Sequence, residues 1–98
     1  MPDHFNQLRD LLITFPSVVE KPNMFGTKHA FFFREKEFAH FHSESQLDIK
    51  VPRNEITDIA PDAIENPFSD DWVLFNINSD TDAKKALFLL KKAYEKVA

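Results

Sequence analysis

The stretch EFAHFHSESQLDIK, residues 37–50, gathers the side chains of this chain best suited to chemistry. His40 and His42 stand one residue apart, and Asp48 follows a short turn later. Histidines at i and i+2 of a strand project to the same side, so both imidazoles can reach one ion. A nearby carboxylate can then complete three ligands, which makes His40, His42 and Asp48 a candidate metal set. The same trio suits acid–base work, with Asp48 orienting His42 as a proton acceptor. The plainer alternative is a half-exposed hairpin whose imidazoles lie flat and bond to their neighbours. No nucleophile or oxyanion device accompanies the trio in the sequence, so a catalytic role stays open and no particular reaction or cofactor is indicated.

Which face these residues share follows from alternation. Leu47, Ile49 and Val51 are apolar and alternate with Asp48 and Lys50, so the odd positions face the core. On the preceding strand Ala39 and Phe41 are the apolar odd positions, leaving His40 and His42 on the opposite side with Asp48. Opposed residues share a face, so His42 is expected opposite or diagonal to Asp48 across a bulged or odd turn. The same pairing brings Glu37 towards Arg53 as a salt bridge at the strand ends. His29 joins the histidine face if the turn at Glu35–Lys36 has two residues. Were Phe31, Phe33 and Phe38 on that face too, the site would be an aromatic-walled pocket around polar groups, the usual character of a small-ligand site.

The elements that must position this hairpin can be read along the chain. Phe5, Leu8, Leu11, Leu12 and Phe15 mark one face of a first helix, capped by Asp3 and ended before Pro16. Val18 and Val19 suggest a short strand, followed by the loop KPNMFGTK, whose lone glycine is too little for a phosphate-cradling loop. HAFFF, KEFAHFH and LDIKV read as three strands in antiparallel hairpins. A short helix is expected around Asn54–Ala60, then an irregular loop, then the strand WVLFNI with Val73, Phe75 and Ile77 on one side. Ser79 with Asp82 resembles a capping box opening a long helix. Its apolar face runs through Ala83, Ala86, Leu87, Leu90, Ala93, Tyr94 and Val97. Two amphipathic helices and a meander of about four to five strands predict an α+β two-layer sandwich, both helices on one sheet face.

Composition bounds what such a domain can be. Ninety-eight residues make a single α+β domain, 1–98, and eleven phenylalanines supply most of its large apolar area. With no cysteine, disulfides, thiolate metal sites and cysteine nucleophiles are excluded. The amino-terminal MPDHFNQLRD carries neither a basic start nor an apolar run, and no stretch is long enough to span a bilayer. A cytoplasmic domain without membrane attachment is therefore expected. A net charge of −4 weighs against nucleic acid as a partner. Phe88 falls on the lysine side of the last helix, away from its apolar stripe, and is a candidate contact for a partner protein or a second copy in a homo-oligomer. Trp72 is placed beside the hairpin, as a core anchor more readily than as a stacking platform.

Two segments, REKEFAHFHSESQLDIKVP and DDWVLFNINSDTDAKKALFLLKKAYEKV, resemble the small "luciferase domain" family of uncharacterised bacterial and fungal proteins. The resemblance covers roughly the last two-thirds of the chain and falls on Glu37, His40, His42, Asp48, Trp72 and Tyr94. Ala39 and Asp71 stand where that family carries glycine. The resemblance implies no particular reaction, and light production is not among its implications. The sequence reading is thus a ligand- or protein-binding module built on the His40/His42/Asp48 face, flanked by Glu37 and Trp72. Its alternative is a small metal-dependent or acid–base enzyme using the same residues.

Overall fold

A computed structural model describes residues 3–23, 26, 29–61, 63–65 and 71–98. Much of KPNMFGTK, and part of the irregular loop expected after Ala60, lies outside the described residues. The first helix, α1, spans His4–Leu12, and the Asp3 carboxylate accepts from the Asn6 N–H at its start. It closes earlier than Pro16 requires: the Thr14 hydroxyl donates to the Leu11 carbonyl, and Ser17 takes a φ of 63° as the chain turns into the sheet. The last helix, α2, spans Asp80–Val97. Ser79 accepts from the Asp82 N–H, while the Asp82 carboxylate accepts from the N–H of Asn78, so the cap is reciprocal but reaches one residue further out than a capping box.

Six antiparallel strands form one sheet: β1 (Val18–Lys21), β2 (Ala30–Phe33), β3 (Lys36–Ser43), β4 (Gln46–Ile49), β5 (Ile64–Glu65) and β6 (Val73–Asn76). Their order across the sheet is β1-β2-β3-β4-β6-β5, so the two-residue β5 is an added edge beyond the expected strands. The β2–β3 turn is made by Arg34 and Glu35, at φ 48° and 77°. Two successive left-handed residues match the twist of a two-residue hairpin, a geometry that usually calls on Asn and Gly.

Two irregularities in β3 decide what faces where. Ala30 pairs with His40 and Phe31 with Ala39, but Phe32 then pairs with Glu37, leaving Phe38 as an extra residue. In this bulge Phe38 and Ala39 are both fully buried, and the alternation reverses beyond it. The second shift leaves His42 as the extra residue between the Phe41–Leu47 and Ser43–Gln46 pairs.

Both helices cover one face. Leu8 and Leu12 of α1 and Ala86, Leu89, Leu90 and Ala93 of α2 close over Phe31, Phe38, Phe41, Leu47, Ile49, Val73 and Phe75. This corrects the expected aromatic wall: Phe31, Phe33 and Phe38 belong to the helix side, and Phe33 and Phe38 lie 5.6 and 5.9 Å from the Tyr94 ring. The expected helix at Asn54–Ala60 is instead a 3₁₀ turn at Arg53–Glu55 followed by further turns. Ile56 and Ile59 still reach the core, since a three-residue spacing suits a 3₁₀ turn as well as an α-turn.

Candidate functional site

Asp48 is the only buried charged side chain among the described residues, in the middle of the sheet with Leu74 and His40 as its two cross-strand neighbours. A buried carboxylate is costly unless it is paired, and here it is paired twice. Asp48 Oδ2 lies 2.8 Å from His40 Nε2 and 3.0 Å from His42 Nδ1. His40 is thus the residue directly opposite Asp48, and His42 reaches it diagonally from the bulge. Because a carboxylate only accepts, the proton in the His42 bond sits on Nδ1.

The first bulge supplies a second carboxylate. Strict alternation would turn Glu37 to the core, but the extra residue at Phe38 brings it to the face of His40. Glu37 Oε2 lies 3.3 Å from His40 Nδ1 as an ion pair, and it accepts from the Asn23 side-chain amide at 2.9 Å. His40 Nδ1 is buried with no hydrogen bond of its own. The expected Glu37–Arg53 salt bridge is therefore absent; Arg53 Nε donates to the Ala63 carbonyl instead.

His40 keeps only 17% of its side-chain surface exposed, against 62% for His42. Burial by itself pushes the His40 imidazolium towards losing its proton. The Asp48 and Glu37 carboxylates outweigh burial and raise its pKa to about 9. Burial likewise opposes ionisation of Glu37, and its contacts with His40 and Asn23 overcome this and hold its carboxyl below the ordinary value. Trp72 is half-buried, its ring 5.3 Å from that of His40 and tilted by 39°. It covers the histidine instead of anchoring the core, which corrects the sequence expectation.

Ligand atoms of His40, His42 and Asp48 all lie within 4.8 Å of one another, and so could hold a metal ion. Donors about 2.0–2.2 Å from a tetrahedral zinc ion stand roughly 3.4 Å apart. The Asp48 contacts of 2.8 and 3.0 Å are shorter, so the carboxylate would draw back by about half an ångström to admit an ion. A metal would also displace the proton that His40 carries between the two carboxylates.

His29 does not join this group. Its carbonyl accepts from the Phe41 N–H, and its Nδ1 donates to Glu20 Oε2 at 2.9 Å on the helix side of the sheet. Arg9 of α1 also donates to both Glu20 oxygens. The sequence reading missed this second cluster, although Glu20, alternating with Val19, stood as a carboxylate in need of a partner. Asn23 carried no comparable signal. Phe88 is 54% exposed, on the solvent side of α2 as expected. Among the described residues no helix is long and apolar enough to cross a membrane. No protein-family model, curated protein or solved structure matches the chain.

Proposed function

We propose that this domain is a binding module that meets its ligand on the His40/His42/Asp48 side of the sheet, and that a divalent transition-metal ion is the component this donor set fits. The observation that carries the reading is the convergence of two imidazoles and a buried carboxylate from adjacent strands within 4.8 Å. Two imidazoles with one carboxylate suit zinc and its neighbours better than magnesium or calcium, which favour all-oxygen shells. Glu37 and Trp72 flank the donors as their immediate support, and the resemblance to the luciferase-domain family falls on the same residues. The test is calorimetric titration of chelator-treated protein with Zn²⁺ and Ni²⁺, repeated with His40→Ala and His42→Ala. Stoichiometric binding by the parent and its loss in both folded variants is expected; no binding by the parent sinks the reading.

A second reading, a small acid–base enzyme, is favoured by one observation. His42 is mostly exposed and donates through Nδ1 to Asp48, which leaves Nε2 of the neutral ring as an oriented proton acceptor. This predicts that chelator-treated protein hydrolyses an activated ester above the buffer rate, and that His42→Ala abolishes the excess. A rate equal to buffer removes this reading without touching the first.

A further inference from the structure

Both ring nitrogens of His40 face carboxylates. Nε2 lies 2.8 Å from Asp48 Oδ2, and Nδ1 lies 3.3 Å from Glu37 Oε2. An imidazole turned over about its Cβ–Cγ bond would present C–H groups at both places, so the two carboxylates select one orientation of the ring. Trp72, with its ring 5.3 Å away and tilted by 39°, restricts the plane in which His40 can lie. Glu37 is itself held. Its Oε2 accepts from the Asn23 side-chain amide at 2.9 Å, and only 18% of its side chain is exposed. It reaches this place because Phe38 is the extra residue of the β3 bulge.

A histidine that ligates a metal through one nitrogen carries its remaining proton on the other, and that N–H needs an acceptor. For His40 the nitrogen turned to Asp48 is Nε2, so Nδ1 is the one left to hold the proton. Nδ1 is buried and makes no hydrogen bond, so bulk water does not serve it, and the Glu37 carboxylate is the group in position to do so. We infer that Glu37 is a positioning residue for metal binding: it accepts from His40 Nδ1–H and so fixes Nε2 as the ligating nitrogen. The inference rests on the donor-set reading above and deepens it, extending the site from three donors to a chain of contacts through His40 and Glu37 to Asn23. The competing role for Glu37 is that of a counter-charge to a protonated His40. A hydrogen bond needs an oxygen at this place whether or not it is charged, whereas a counter-charge needs the charge itself.

The experiment is a Zn²⁺ titration of the whole chain at pH 7.5, as parent, Glu37→Ala and Glu37→Gln, with the fold of each checked by its amide NMR spectrum. Glutamine can place its carbonyl oxygen where Oε2 stands and accept from both Asn23 and His40, so it keeps the hydrogen bond and drops the charge. Glu37→Ala is expected to lower the zinc affinity about tenfold or more, the effect of losing a carboxylate behind a ligating histidine, and Glu37→Gln to stay within about threefold of the parent. A glutamine variant that behaves like the alanine variant, or an alanine variant that binds as tightly as the parent, would overturn the inference and leave the donor set standing. The parent alone supplies a second check, which holds even if the alanine variant does not fold. Long-range ¹H–¹⁵N spectra of the zinc-loaded histidine rings should show His40 ligated through Nε2 with its proton on Nδ1, and ligation through Nδ1 overturns the inference. A parent that takes up no zinc overturns the donor-set reading and this inference with it.

Discussion

The proton on His40 should be measurable as folding stability in chelator-treated, metal-free protein. An unfolded histidine titrates near 6.5. In the folded protein the Asp48 and Glu37 carboxylates raise the His40 pKa to about 9 against the cost of burial. Between these values the folded state holds a proton that the unfolded state has released. Stability from this group is therefore complete below about pH 6.5 and is lost as pH rises through about 9. At about 1.36 kcal/mol per pKa unit the interval is worth on the order of 3 kcal/mol, a large part of the total for a domain of this size. His40 is mostly buried, so solvent screening removes little of this. Urea unfolding at half-unit steps from pH 6 to pH 10 should show the decline in the parent protein. His40→Gln should flatten the part of the slope that belongs to this residue, leaving the contributions of other groups in place. Direct observation comes from the carbon-bound ring protons in NMR, where His40 should remain imidazolium at pH 8. A His40 titration centred near 6.5, or parent and variant slopes that coincide, would refute the electrostatic account.

The same proton should tie metal binding to pH. Zn²⁺ must displace it, so the apparent affinity should rise roughly tenfold per pH unit between pH 7 and about 9, and a flat profile would show that His40 is not a ligand. Phe38→Ala should cost about 3–5 kcal/mol in urea unfolding, because the bulge buries this ring completely against the helices, whereas an outward-facing Phe38 would cost far less. Replacing Arg34 by Asn and Glu35 by Gly together should stabilise the domain by about 1–2 kcal/mol, since both residues sit at positive φ; a loss of thermal stability would contradict the turn geometry. Phe88→Glu should leave stability within about 0.5 kcal/mol of the parent. If Phe88 holds two copies together, that variant should also lower the mass measured by light scattering, and an unchanged mass would exclude it as the association contact.

The face shared by His40, His42 and Asp48 was legible because polar and apolar residues alternate on two consecutive strands whose core positions agree. The long helix was legible for a similar reason, with Ser79 and Asp82 marking its start. Legibility stopped where a local rule was broken by tertiary packing. Phe38 and Ala39 are adjacent apolar residues, and two neighbours can enter one core only if alternation fails between them. That adjacency was the available sign of a bulge, but KEFAHFH fits an unbroken strand nearly as well. The left-handed turn at Arg34 and Glu35 carried no Asn or Gly to announce it. These two hidden features act on the same strand and bear directly on the site. Without the extra residue, Glu37 would face the helices and His40 would have Asp48 as its single carboxylate partner. Inserting Phe38 into the core and bringing Glu37 to His40 are one structural event, so the packing of the helix side and the charge of the histidine side cannot vary independently.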